Sequence, residues 1–163
     1  MSRIGRYIAI AVLALGVAGV AMGAAFIVEG QSKANLIKNS MREEQVSLQS
    51  LGVEGATPGD LIDSAAEAQK AADTIRGHRQ KIALTYDALM KASATGKFDV
   101  TNPTDLAYAQ AMNLENYLYL GVASLGLATV VTVSGIFMVA TGIALGGTGI
   151  VLFQLAKAKA ATA

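Results

Sequence analysis

Apolar residues in this chain gather into two long blocks on either side of a mixed segment, and that pattern predicts most of the architecture. Between Arg6 and Glu29 lie 22 uncharged residues, Tyr7 to Val28, nearly all Ala, Val, Leu, Ile, Gly and Met. At about 1.5 Å per residue, a helix needs about 20 such residues to cross a hydrocarbon core about 30 Å thick. The second block is longer, with no charge over the 41 residues from Asn116 to Ala156. Its most apolar part, Gly121 to Leu145, is expected to be one span. Gly146-Gly147-Thr148-Gly149 is then the expected break or bend. Ile150 to Leu155 is too short to cross back and is expected as an interfacial or continuing helical tail. The first block also admits a reading as a cleaved signal peptide, with Arg3 and Arg6 as its basic flank and Ala21-Met22-Gly23 as small residues. Its apolar run to Val28 exceeds the usual h-region of about 7–15 residues, which favours an uncleaved span.

The mixed segment reads as helical hairpin material. Gln31 to Gln49 lacks Pro and Gly and carries a loose apolar stripe at Ile37, Met41, Val46 and Leu48, so a helix continuing from the first span is expected. Leu51 to Gly59, with three Gly and one Pro, is a loop. A second helix is expected from Asp60 to about Ser93. Its apolar positions Leu61, Ala65, Ala68, Ala72, Ile75, Ile82, Tyr86 and Leu89 alternate in steps of three and four, with Arg79 at the one missing place. That repeat resembles a coiled-coil seam, packed within the chain or between chains. Gly96 to Val100 is a second connection. Asn102-Pro103-Thr104-Asp105 then opens a third helix, with an N-cap residue followed by Pro at the first helical position. Nothing interrupts that helix before Gly121, so it should run directly into the second span.

The expected fold is therefore an all-α membrane protein, two transmembrane helices extended into an antiparallel extracytoplasmic helical bundle. Residues 1–29 form the N-terminal flank and first span, 30–118 the extracytoplasmic segment, and 119–163 the second span and tail. Arg3 and Arg6 before the first span, with Lys157 and Lys159 after the second, lead to the expectation that both termini are cytoplasmic. The middle segment, with nine basic and eleven acidic residues, has no charge bias holding it inside. Tyr7 at one boundary and Tyr117 and Tyr119 at the other suit amphipathic rings.

Composition narrows the chemistry. A mean hydropathy of +0.45 is too apolar for an ordinary soluble domain. Thirteen basic against twelve acidic residues gives a charge of +1, which removes the electrostatic case for nucleic acid. Without cysteine there is no disulfide framework, thiolate metal site or thiol nucleophile. One His, His78, does not supply a two-His metal site. Asp60/Asp63 and Asp63/Glu67 share a helix face, but the helix dipole already accounts for first-turn acids. His78 lies among Arg76, Arg79 and Lys81, either on a solvated basic turn or as a neutral imidazole that binds a ligand or a carbonyl. That cationic cluster is a candidate for an acidic partner or a lipid headgroup. The spans hold no ionisable residue, which argues against transport by this chain alone. Gly19-x-x-x-Gly23 and Gly142-x-x-x-Gly146 are candidates for close helix packing, between the two spans or against another subunit. No phosphate loop, dinucleotide fingerprint or nucleophile elbow occurs.

The stretch Thr101-Asn102-Pro103 through Tyr108-Ala109-Gln110-Ala111-Met112-Asn113-Leu114-Glu115-Asn116-Tyr117-Leu118-Tyr119, followed by an apolar block, resembles an uncharacterised bacterial membrane family of Chloroflexi and actinobacterial type. Ala65-Ala66-Glu67-Ala68-Gln69-Lys70-Ala71-Ala72-Asp73-Thr74-Ile75-Arg76-Gly77-His78-Arg79 resembles it too. The resemblance implies a span, a helical extracytoplasmic segment and a closing span, and implies no activity. Some relatives carry the name of an aromatic ring-opening dioxygenase, a chemistry for which this chain has no iron ligand set. The expected role is a non-enzymatic structural, self-assembling or accessory subunit in a bilayer, with homo-oligomers or other membrane subunits as partners and no cofactor. The alternative is an extracytoplasmic ligand- or protein-binding module. His78, Arg79, Asn113, Glu115 and Asn116 are the candidate partner contacts.

Overall fold

The computed structural model describes residues 3–44 and 46–161. The side chains of Arg3 and Lys159, which enter the orientation argument, lie outside that description, as does Gln45 of the expected first helix. The described residues form four helices: α1 (Arg3–Glu43), α2 (Ala65–Ile82), α3 (Tyr86–Ala92) and α4 (Pro103–Ala161). Both α1 and α4 are long and apolar enough to cross a membrane. Only 11% and 17% of their most apolar windows are buried inside the protein. A core helix of a soluble domain would hide most of such a surface.

Three expectations about helix limits are corrected. The helix expected over Gln31–Gln49 ends at Glu43, which leaves Val46 and Leu48 in the connection that follows. The helix expected over 60–93 is two helices, because Ala83 is extended (φ −153°, ψ 140°) and Thr85 starts α3 as its N-cap. The break expected at Gly146-Gly147-Thr148-Gly149 is absent, and α4 runs through it to Ala161. By contrast, α1 is continuous from the first apolar block to Glu43, and Pro103 occupies the first position of α4. There Asn102 Oδ1 accepts the Thr104 N–H at 2.9 Å.

Contacts divide the chain into two units, Met1–Lys33 with Leu127–Ala163, and Ala34–Gly126. In the first unit the buried positions of α1 are Ala9, Gly16, Gly23 and Gly30. Those of α4 are Ala128, Gly135, Gly142, Gly149 and Ala156. Both sets repeat every seven residues, the period that keeps one face of a helix against a partner. Side chains are excluded where these stripes meet. A Cβ on Gly16 would lie 2.5 Å from the Gly146 nitrogen and 2.7 Å from the Gly142 oxygen. One on Gly23 would lie 2.6 Å from the Gly135 oxygen, and one on Gly30 would meet Thr132 Oγ1 and the Ala128 oxygen.

Larger residues of one helix fill the gaps left by glycines of the other. Val20 and Ile27 reach 2.9 Å from where a Cβ would stand on Gly142 and Gly135, and Val139 reaches 2.8 Å from that point on Gly23. Each seven-residue advance along α1 is answered by a seven-residue retreat along α4. In this register Tyr7–Val28 lies opposite residues 132–153, and Tyr7 and Phe153 line one cleft. Thr132 and Thr148 donate their hydroxyls to carbonyls four residues back, at 2.9 Å each.

The second unit has a small core: Leu48, Val53, Ile62, Ala68, Ala71, Ala72, Ile75 and Leu118, with Met41, Leu114, Tyr119 and Val122 against it. Leu48, Val53 and Ile62 come from the connection between α1 and α2. Its ends are tied by one antiparallel bridge, Ser47 to Leu61, and by the Leu48 N–H donating to the Asp60 oxygen at 2.8 Å. Gly52 and Gly55 turn this segment at φ +75° and +79°, a backbone region that costs a side chain dearly.

The packing separates glycines that need to be glycine from those that do not. Gly23→Ala should lower the stability of the detergent-solubilised protein by about 1–3 kcal/mol, the usual cost of forcing atoms into a filled contact. Gly146→Ala places its methyl in open space and should leave stability unchanged or raise it by up to about 1 kcal/mol. Thermal unfolding of the two variants side by side checks the contrast.

Candidate functional site

In the second unit, α2 and α4 are joined by a cluster of charged and aromatic side chains. Its position follows from how α2 begins. Ser64 is the N-cap and accepts the Glu67 N–H at 3.2 Å, while Glu67 Oε2 accepts the Asp63 N–H at 3.0 Å. This reciprocal capping box starts the helix at Ala65. From that start Ala68, Ala71, Ala72 and Ile75 face the core, and Arg79, one turn after Ile75, reaches the same side.

Glu115 of α4 is buried, at 5% exposure. Its two carboxylate oxygens are divided between two guanidinium groups. Arg79 Nε donates to Oε2 at 2.7 Å, and Arg76 Nε donates to Oε1 at 3.0 Å. Arg79 Nη1 also donates to the Tyr108 hydroxyl at 2.7 Å, and its guanidinium lies 5.1 Å from the centre of that ring. Arg76 lies 4.9 Å from the centre of the Tyr119 ring. The Tyr119 hydroxyl donates to Asp73 Oδ1 at 2.6 Å, and Gln69 Nε2 donates to both Asp73 oxygens. Tyr86 of α3 completes the aromatic edge, 6.5 Å from Tyr108 between ring centres.

Burial alone pushes the Glu115 carboxyl up, but the hydrogen bonds and charges of Arg79 and Arg76 outweigh it and hold it below its ordinary value. The Tyr119 hydroxyl and then the Gln69 amide hold Asp73 below its ordinary value. Glu115 bonding raises both guanidinium groups further. The arrangement is a closed exchange of donors and acceptors. It orients two helices and offers neither an uncommitted nucleophile nor a free base. Among the described residues no group of three or more His, Asp or Glu side chains stands ready for a metal.

The candidate contacts therefore separate. Arg79 and Glu115 meet each other. His78, Asn113 and Asn116 are exposed, and His78 borders the loop at Gly52, where a Cβ would lie 3.2 Å from its Cε1. Of the packing glycines, Gly23 and Gly142 lie on the buried stripes. Gly19 is close to the Gly142 Cα, and Gly146 offers its backbone to Gly16. Sequence reasoning read Tyr119 only as a boundary ring and missed Tyr108 and Asp73, which no local pattern marks. It also missed the capping box, for which Ser64-Ala65-Ala66-Glu67 is a legible signal.

A second polar feature is an open cleft of about 500 Å³ lined by Arg42, Leu48, Gly59, Asp60, Leu61, Asp63 and Glu67. Its charged groups are already engaged. Arg42 lies 3.7 Å from Asp63, and Asp60 accepts the Thr57 N–H at 2.8 Å. No family model, curated protein or solved structure matches the chain.

Arg79→Met should destabilise the protein by about 3 kcal/mol, since it strips a buried carboxylate of its nearest partner. Arg79→Met combined with Glu115→Leu should recover most of that loss. Because the folded Glu115 value is depressed, its contribution is full above the ordinary carboxylate value near 4.5 and is lost as pH falls through the lower folded value. Unfolding midpoints measured from pH 7 to pH 3 should drop at the acid end for the natural chain and less steeply for Glu115→Gln.

Proposed function

We propose that this chain is a non-enzymatic, two-span bacterial membrane protein that serves as a structural or accessory subunit. Both termini lie in the cytoplasm, and the segment between the spans forms an antiparallel helical bundle outside. The carrying observation is the exposed apolar surface of the paired helices. Leu15, Val17, Met22 and Phe26 on α1 and Val130, Ile136, Phe137 and Ile143 on α4 are all more than 40% exposed. In water such a surface would be unsustainable, whereas lipid chains cover it at no cost.

The opposed order of the glycine contacts supports antiparallel spans. Burial of Gly16, Gly23 and Gly30 against α4 also supports retention of the first span as a permanent element. The small-residue motifs are engaged between the two spans of one chain. Association with further copies or other subunits therefore falls to the exposed faces of the spans and to exposed polar groups such as His78, Asn113 and Asn116. The resemblance to a two-span bacterial family agrees with this reading. The closed Arg76–Arg79–Glu115 cluster favours a rigid scaffold over a sensing pocket.

Absence of cysteine makes topology directly measurable. Ser93→Cys should react with a membrane-impermeant maleimide in intact cells, and Ala158→Cys only after permeabilisation. Labelling in the opposite sense overturns the orientation. The mildly solubilised protein should run at a native mass above the 16.7 kDa protomer, either as a multiple of it or with reproducible foreign chains. A lone protomer overturns the assembly role.

A further inference from the structure

One end of the glycine-paired helices carries basic side chains and no acidic one. The first acid on α1 is Glu29 and the last on α4 is Glu115, so residues 1–28 and 116–163 contain no Asp or Glu. The cations of these stretches are Arg3, Arg6, Lys157 and Lys159, and the register of the stripes carries Arg6 and Lys157 to the same end. A cleft of about 420 Å³ opens there between the helices, lined by Arg6, Tyr7, Ile10 and Phe153. Lys157 follows Phe153 by one helical turn and so lies on the same face of α4. Neither Arg6 nor Lys157 forms an ion pair among the described residues.

We propose that this cleft seats the headgroup of an anionic phospholipid, a site that rests on the two-span reading. The Arg6 guanidinium supplies a planar fork matched to phosphate oxygens, and the Lys157 ammonium adds a point charge. The Tyr7 hydroxyl has hydrogen-bonding capacity at the membrane boundary, where such rings are favoured. Ile10 and Phe153 form the apolar part of the wall, against which the first methylenes of an acyl chain pack. Charge complementarity selects the occupant. A zwitterionic lipid would bring its own cation to a cleft that Arg6 already lines, with Lys157 one turn beyond Phe153, whereas an anionic one brings only the missing charge. Basic pockets between transmembrane helices on the cytoplasmic side are the usual seats of anionic headgroups.

The test is native mass spectrometry of the full chain in mild non-ionic detergent, titrated with phosphatidylglycerol or phosphatidylcholine of the same acyl chains. The expected result is saturable retention of phosphatidylglycerol over phosphatidylcholine. Arg6→Gln with Lys157→Gln should weaken it by about thirtyfold, the scale of two surface cations facing anionic lipid. Lys33→Gln, on the opposite side of the first apolar block, should leave it unchanged. Circular dichroism of each variant establishes that the helices persist. Equal uptake of both lipids, or undiminished binding by the double variant, overturns the site. Displacement by an equal concentration of inorganic phosphate overturns the lipid assignment in favour of a free anion. An alkaline carbonate wash of cell membranes separates the two levels of the argument. Release of the protein overturns the spanning reading itself, whereas retention without lipid preference overturns only this site.

Discussion

Two helices bring their backbones into contact only where neither interposes a side chain, and in the first unit that condition is met every seventh residue. Hydrocarbon surroundings offer no hydrophobic gain for pairing apolar helices, so association there rests on van der Waals contact and close approach. Gly16 against Gly142 and Gly146, Gly23 against Gly135, and Gly30 against Ala128 supply that approach. The intervening positions do not waste the space. Leu13, Val20 and Ile27 project toward Gly149, Gly142 and Gly135, so each branched residue sits where its partner helix has no side chain. The stripe ends in Ala9 on α1 and in Ala128 and Ala156 on α4. The backbone pairing in turn lets both helices run straight through glycine-rich sequence. Glycines that would fray a helix in water are held by the neighbour that requires them.

The second unit is held by different chemistry. Three alanines of α2 bury little apolar area, and the core they share with Leu48, Val53, Ile62 and Leu118 is small. A buried ion pair is a costly supplement, since desolvation offsets most of the attraction unless every donor and acceptor is matched. Here the match is close. Glu115 takes one guanidinium on each oxygen, and Arg79 spends a further N–H on Tyr108. Arg76 remains half exposed, so the tightly determined contact is Arg79 with Glu115. What such a pair provides is orientation: it fixes the rotation of α2 against α4, which an alanine face alone leaves loosely specified.

The two apolar blocks, the long opening helix and the Asn102-Pro103 start were legible because each rests on a local rule about charge vacancy or capping. The interruption between α2 and α3 was not, because the three-four repeat continues across Ala83-Leu84-Thr85 without Gly or Pro. Only the Thr85 hydroxyl, accepting the Ala88 N–H, marks it. The glycines were half legible. A four-residue template finds Gly19, Gly23, Gly142 and Gly146, whereas the period that governs the contact is seven and links Gly16 with Gly23 and Gly30. Arg79 registered as a gap in the seam and, with Glu115, as a candidate partner contact. Their partnership spans 36 residues of sequence, and a single sequence carries no information on which of many opposite charges will meet. Leu48 reads as part of a helical stripe, and the loop residues Val53 and Ile62 escape notice, because periodicity says nothing about apolar residues in turns.

The unequal lengths of the two apolar blocks, 22 residues against 41, then have a physical cause. A charge-free run measures the absence of ionic side chains and does not distinguish a lipid-facing helix from one buried in a protein core. The early part of the longer run belongs to the second unit, where Leu118 is buried in the core, Val122 packs against it, and Gly121 sits against the Met41 side chain. Only beyond residue 127 does α4 take up the glycine stripe. The stretch opposite Tyr7–Val28, residues 132–153, equals it in length and stops short of Lys157 as its partner stops short of Arg6. On the two-span reading the bilayer segment of α4 therefore lies about ten residues later than hydropathy alone would centre it. Gly146-Gly147-Thr148-Gly149 falls inside that stretch, with the Gly146 backbone against Gly16 and Gly149 against Leu13. The surplus of apolar sequence is accounted for by the core of the second unit, where Leu118 and Val122 pack.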